Sequence, residues 1–304
     1  NAGRMRPGDV YMINAPYNGG THLPDITVVT PVFSSPARGE EKEVREILFY
    51  VASRGHHEDV GGLTPGSMTP RATHIDQEGV YIDNFKLVEA DRFREAETRA
   101  LLTGGPYKNA TGADGTPARH PARAPDKNIA DLKAQVAASA KGVAELERMV
   151  GHFGLDVVRA YMGHVQDNAE ESVRRLIDRL TDGAFEVEMD QGTRIKVAVR
   201  VDRHRREATF DFTGTSPMQP NNFNAPEPVA RAGVLYVLRV LCDQPIPLNA
   251  GCMKPVKVIV PKGSMLSPQY PAAVVAGNVE TSQVVVNCLM AALGAMGPSQ
   301  GTMN

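Results

Sequence analysis

EILFYVASRGHHEDVGGLTPGSM, residues 46–68, starts as one kind of chain and ends as another. Ile47 to Val51 is a β-branched and aromatic run of the sort that fits a pleated, half-buried surface. It then gives way to His56, His57, Glu58, Asp59, the pair Gly61-Gly62 and a Gly/Pro turn, so a strand followed by a polar loop is expected. A merely solvated loop has no need of two imidazoles and two carboxylates side by side. The same alternation of short strand and polar loop runs through GDVYMINAPYNGG (8–20) and DITVVTPVF (25–33), making residues 1–88 a strand-rich region in which the unusual side chains concentrate.

Beyond it the character changes. Residues 89–127, and above all TGGPYKNATGADGTPARHPARAPDKN, are rich in Gly, Pro, Ala and charge and read as a mobile insert. Within 128–182, Ile129, Leu132, Val136, Val143, Leu146, Val150 and Phe153 recur at three- and four-residue steps, with Asp126 or Asn128 as cap. Gly154 separates them from a second helix carrying Val157, Val158, Tyr161, Met162, Val165, Ala169, Val173, Leu176, Ile177 and Leu180. Both stripes read as packing surface. From 183 to 304 come a hairpin (RIKVAVRVDRHRREATFDFTGTS), a helix around VARAGVLYVLRVLC, a strand PVKVIVP and a helix from about Thr281 to Met296. Without strict βαβ alternation, the expected class is α+β, a large domain of mixed strands with a helical pair in the middle, built in one body or two lobes.

Composition narrows the function. The 304 residues suffice for a large core, at roughly 100–200 residues per domain. Charge is almost balanced, 33 basic against 35 acidic residues, with no basic block interleaved by aromatics, so neither nucleic acid nor an anionic membrane is expected as a partner. The most apolar run, VVVNCLMAALGAMG, is shorter than the ~20 residues of a bilayer span. Three cysteines, Cys242, Cys252 and Cys288, lack C-x-x-C spacing and read as reduced thiols of a cytoplasmic protein. The chain opens at Asn1 and stops at SQGTMN, directly after an apolar run, and is expected to be a segment of a longer polypeptide, cut at both ends.

Chemistry concentrates in two copies of His-x-x-Asp, His22/Asp25 in THLPD and His56/Asp59 in GHHED, each in a loop touching a predicted strand. Imidazole and carboxylate are the ligand set of Zn, Mn or Fe. Two such loops at adjacent strand ends can converge on one divalent metal ion, and three protein ligands would leave a position for water whose pKa the ion lowers toward about 7. His57 ranks below His56 as a ligand. Gly61 to Gly66 has phosphate-loop spacing, but Ser67 and Met68 stand where Lys and Ser/Thr belong. Polar clusters in apolar surroundings, Asn14, Tyr17, Asn18 and Thr21, then Ser67, Asn249, and Asn278, Thr281 and Ser282, are candidates for substrate contacts. Thr281 or Ser282 also reads as a helix cap, whose free N–H groups suit an anion.

Taken together, GDVYMINAPYNGGTHLPDITVVTPVF, FYVASRGHHEDVGGLTPGSM, DLKAQVAASAKGV, DFTGTSP, IPLNAGCMKPVKVIVPKGS and AGNVETSQ resemble the hydantoinase B family over nearly the whole chain. NAPYNGGTHLPD, GLDVVRAYMGHVQDNAE and NFNAPEPVARAGVLYVLR look most like its 5-oxoprolinase branch. The resemblance implies a hydrolase of a small-molecule cyclic amide, working in a large assembly beside a hydantoinase A-like ATPase module. That module, on the same or a separate chain, would use ATP and Mg, and this chain would not. It also implies His22, Asp25 and His56 as the metal ligands, which leaves Asp59 as base or support, with His57 beside it. Hydantoinases and ketone carboxylases share the family, and a scaffold that only orders the ATPase is a third expectation. The sequence departs from the family in the insert near 103–125, and it stops where the family continues.

Overall fold

The computed structural model describes residues 3–34, 46–104, 120–242, 244–295 and 301–302, and the fold is α+β as the patterning indicates. The chain forms two compact units, residues 1–152 and 153–304.

In the first unit, strands β1 (Val10–Ile13), β2 (Asp25–Phe33), β3 (Ile47–His56), β4 (Phe85–Glu89) and β5 (Arg92–Phe93) make one antiparallel sheet in the order β3-β2-β1-β4-β5. Val10, Tyr11, Met12, Ile26, Val28, Phe85 and Leu87 bury their side chains in its core together with Leu23, Val60, Ile75 and Ile82 from the loops. Helix α1 (Glu95–Leu102) follows β5, and helix α2 (Pro125–Phe153) closes the unit. The stretch from residue 89 read as an insert therefore begins with regular structure. Leu101 and Leu102 are fully buried, and Leu102 packs with Ala122, Ile129 and Phe93. Three buried positions in eight residues, Thr98 among them, are too few to register as a helical period. Residues 105–119, the middle of the expected mobile stretch, lie outside the described residues.

The second unit starts with helix α3 (Leu155–Ile177). Its sheet has the order β6-β7-β8-β9, from β6 (Gly183–Glu188), β7 (Arg194–Asp202), β8 (Glu207–Asp211) and β9 (Val256–Ile259), and helix α4 (Glu227–Leu241) lies between β8 and β9 in sequence. β7 and β8 form the expected hairpin, with Ile195, Val197 and Val199 buried and Arg194, Lys196 and Arg200 exposed. β8 and β9 run parallel, the one such pair among the described strands. Helix α5 (Ser282–Ala292) follows a π-helical turn at Gly277–Thr281. Phe210, Phe212, Val234, Leu238, Cys288 and Leu289 join the inward face of α3 from Ala169 onward in one core. The upstream part of the α3 stripe behaves differently from the expectation. Val158 is buried, but Val157, Tyr161, Met162 and Val165 stay exposed, because the core of this unit reaches α3 only at Ala169. The last helix ends at Ala292, and Met296 lies outside the described residues. No helix among the described residues is long and apolar enough to cross a membrane.

None of the three cysteines forms a disulfide. Burial pushes the Cys288 thiol up to about 12, and Cys252 is equally shielded, whereas Cys242 is half-buried. Because the thiolate is the nucleophile, native-state alkylation with iodoacetamide at pH 8 should label Cys242 at least ~100-fold faster than Cys288. Peptide mass spectrometry before and after denaturation checks this, and equal labelling of the two would contradict the packing described.

Candidate metal centre

β2 begins at Asp25 and β3 ends at His56, and the antiparallel register sets these two residues directly opposite each other. Asp25 opens the expected strand 25–33, whereas His56 is expected in the following loop. The ladder runs on through Arg54 and Gly55 to His56, and the Gln135 side chain lies against the strand at Gly55, where a Cβ would stand a tight 3.2 Å from its amide carbon. His56 Nδ1 lies 2.9 Å from Asp25 Oδ1. His22 comes from the turn just before β2, which the Asp25 N–H closes by donating to the His22 carbonyl. Its ring centroid is 5.1 Å from that of His56.

The turn is held from below. Asn14, fully buried, donates to the Leu23 and Val80 carbonyls and accepts from the Ile82 N–H. One side chain thereby ties the loop 14–25 to the segment 80–82.

Ligand-type atoms of His22, Asp25 and His56 all lie within 4.8 Å of one another, the one such group of His, Cys, Asp or Glu among the described residues. Burial alone would raise the Asp25 carboxyl, but the two imidazoles outweigh it and hold the group far below the usual carboxylate range. Asp25 is therefore an anion at any physiological pH. The fit to a divalent cation has a second sign. His22 is 2% exposed, yet its Nδ1 has no hydrogen-bond partner, and Asp25 Oδ2 stands 3.4 Å away as an ion-pair contact without hydrogen-bond geometry. A buried polar atom left open costs free energy unless something binds it. Two imidazoles and a carboxylate, with room for further ligands on the exposed His56 side, suit Zn, Mn or Fe.

The second His-x-x-Asp does different work. Asp59 Oδ1 accepts from Gly61 N–H (2.8 Å) and Arg123 N–H (3.2 Å), and Oδ2 from Gly66 N–H (2.9 Å) and Arg123 Nη1 (2.8 Å). Those bonds overcome burial and lower its pKa, and they make Asp59 the staple of the 59–67 loop. Ser67 is part of the same staple, since its hydroxyl accepts from Val60 N–H and donates to the Gly61 carbonyl. Gly61 is required here: its φ is +98°, and a Cβ would collide with the His120 carbonyl. His57, 1% exposed, is clamped by helix α2 between Asn128 Nδ2 on Nδ1 and Gln135 Oε1 on Nε2, both at 3.1 Å. With Asn128 donating, the ring is neutral with its proton on Nε2, in keeping with a pKa that burial lowers against the opposing pull of Gln135. Neither Asp59 nor His57 has an atom in reserve for proton transfer, and neither joins the three-residue group.

The candidate substrate contacts fall in both units. Thr21 donates to Asp25 Oδ2. Asn18 donates to Asp83, and Tyr17 stacks on Tyr81 at 6.1 Å. Asn14 and Ser67 are structural, as described. In the second unit Asn249 caps a 3-10 turn by accepting from Gly251 N–H and donates to the Val165 carbonyl. Asn278 is half-buried in the π-turn, where its carbonyl accepts the Ser282 hydroxyl, while Thr281 donates to the Phe223 carbonyl. Thr281 and Ser282 are thus committed to backbone, and neither caps α5 through its side chain, because the π-turn already supplies a helical residue ahead of it.

Gln135 carries no signal of its own in the sequence, and Asn128, expected as a helix cap, lies buried inside α2 because the helix already begins at Pro125. Gln135 Nε2 donates to the Ile26 and Ser53 carbonyls, so one amide spans β2 and β3 next to the Asp25–His56 pair. Asn128, Leu132, Gln135 and Ser139 share one buried face of α2, and three polar residues at that spacing were the available signal.

The chain belongs to the Hydantoinase B/oxoprolinase family, whose model matches residues 1–304. It is 42% identical to 5-oxoprolinase 1 of Arabidopsis thaliana over 99% of this chain and 24% of that protein. It is 40% identical to the 5-oxoprolinase of Saccharomyces cerevisiae over 99% of this chain and 23% of the other. Among solved structures it is similar to an ATP-dependent caprolactamase from Pseudomonas jessenii, with a TM-score of 0.75 and 26% identity over 96% of this chain and 48% of that one. The chain thus spans about a quarter of the length of the curated relatives it matches.

Proposed function

We propose that this chain is the hydantoinase B-like module of an ATP-dependent 5-oxoprolinase, adding water across the lactam C–N bond of 5-oxo-L-proline to give L-glutamate in the cytoplasm. Identity of about 40% to 5-oxoprolinases across almost the whole chain carries the reading. The caprolactamase likeness supports the same bond class, a cyclic amide opened with ATP.

An amide is a poor electrophile, and ATP spent by a hydantoinase A-like partner module, where Mg and nucleotide bind, converts its oxygen into a leaving group. His22, Asp25 and His56 would hold a divalent cation, which supplies Lewis acidity toward an amide or phosphoryl oxygen. Asp25 contributes the fixed negative charge that balances the ion, and the β2–β3 register sets its distance to His56. Asn14 and Gln135 keep the turn and the strand ends from moving apart.

The test is a substrate panel in the intact protein with its ATPase module: 5-oxoproline, caprolactam, hydantoin and acetone, with release of ADP and of product both followed. Turnover of 5-oxoproline at least ~100-fold above the others is expected, since a site built to bond a substrate's polar groups rejects analogues that lack them. Preference for hydantoin or acetone would reassign the chain within its family. Elemental analysis separates both outcomes from the scaffold reading, which needs no stoichiometric ion.

A further inference from the structure

Two imidazoles and one hydroxyl meet Asp25, and the hydroxyl belongs to Thr21. Thr21 Oγ1 donates to Asp25 Oδ2 at 3.2 Å, while Oδ1 faces His56 at 2.9 Å. A free aspartate carboxylate turns easily, because its χ2 is broad and roughly two-fold. With a donor on each oxygen the plane has one setting. That setting holds Oδ2 3.4 Å from His22 Nδ1 without forming a hydrogen bond, and leaves this buried nitrogen open.

Thr21 is itself well anchored. Gly20, its neighbour, donates to the Ala15 carbonyl, and a Cβ on Gly20 would collide with the Asn14 carbonyl, so the backbone is pinned one residue away. Asn14 ties the same loop to residues 80–82.

We propose that Thr21 is a positioning residue: its hydroxyl occupies Asp25 Oδ2, stops the carboxylate from closing on His22, and so keeps His22 Nδ1 available to a divalent cation. This rests on the reading of His22, Asp25 and His56 as ion ligands, and it replaces the assignment of Thr21 to substrate. Donors of this kind, one bond removed from the ion, orient ligands and tune affinity.

The experiment is calorimetric titration of Zn2+ and of Mn2+, without nucleotide, into the intact protein as wild type, Thr21→Val, Thr21→Ser and His22→Ala. The ion bound by wild type and lost in His22→Ala marks the site. Thr21→Val, which keeps the shape and removes the donor, should weaken that binding by roughly 10–100-fold, with Thr21→Ser staying within about threefold of wild type. Melting curves of the variants should superimpose. Thr21→Ala repeats the comparison should the valine variant not fold. Equal affinity in wild type and the hydroxyl-free variant overturns the proposal, as does a Thr21→Ser variant as weak as Thr21→Val. Titrations that His22→Ala leaves unchanged overturn the ion reading beneath it, a failure distinct from the other two.

Discussion

Alanine in place of His22 is expected to cut 5-oxoproline-dependent formation of L-glutamate by at least ~100-fold, because removing even an outer partner of a metal ligand commonly costs 10–100-fold. The residue is buried, its Nδ1 has no internal hydrogen bond to lose, and it contributes one of three ligand-type groups within 4.8 Å. The loss should therefore fall on chemistry and ion content more than on the fold. His22→Gln, closer in volume, should be as inactive as His22→Ala while melting near wild type. His57→Ala supplies the contrast. Its imidazole bridges Asn128 and Gln135, so that variant should lose stability and keep the ability to bind an ion. Glutamate formation in His22→Ala within about threefold of wild type would remove His22 from the reaction.

Replacing Asp59 by alanine should destabilise the first unit by about 3 kcal/mol, read as a fall of roughly 10 °C in its melting temperature. Four accepted hydrogen bonds disappear together, one from the Arg123 guanidinium, and the Gly61 and Gly66 N–H groups lose their acceptor inside the loop. The pH dependence tells charge from shape. The native carboxyl titrates below its ordinary value of 3.8, so its stabilisation is complete above that pH and is lost as pH falls through the native value. The gap between wild type and Asp59→Ala should accordingly be widest near neutrality and narrow below about pH 4. A gap that stays constant into acid would assign the effect to packing alone.

The hairpin of β7 and β8 and the two long helices were legible because a single local period governs each: two for the alternating Ile195, Val197 and Val199, about 3.6 for Ile129 and Leu132 or Val173 and Ile177. The ligand group was legible as residue types but not as geometry. His22/Asp25 and His56/Asp59 have the same spacing, yet one pair lies in the ligand group and the other is divided between the site and a loop staple. What separates them is a pairing between residues 31 apart and the reach of Arg123, and neither is written in the local sequence. His56, read with the polar loop, is the last residue of β3, and the Gln135 side chain that lies against Gly55 just before it stands 80 positions later. The hydroxyls of Ser67, Thr281 and Ser282 donate to backbone carbonyls, partners that the sequence does not display.

The parallel pairing of β8 with β9 bears on how the protein is made. During synthesis β6, β7 and β8 can pair as soon as Asp211 is available, but the partner for the open side of β8 is not translated until Val256–Ile259, after the whole of α4. For that interval a row of backbone donors and acceptors on β8 faces water, beside Phe210 whose burial still awaits the later helices. An unpaired edge of this kind is a template for a second nascent chain. Slowed elongation between residues 212 and 255 lengthens the exposure, so overproduction at high ribosome density should yield aggregates joined through β8.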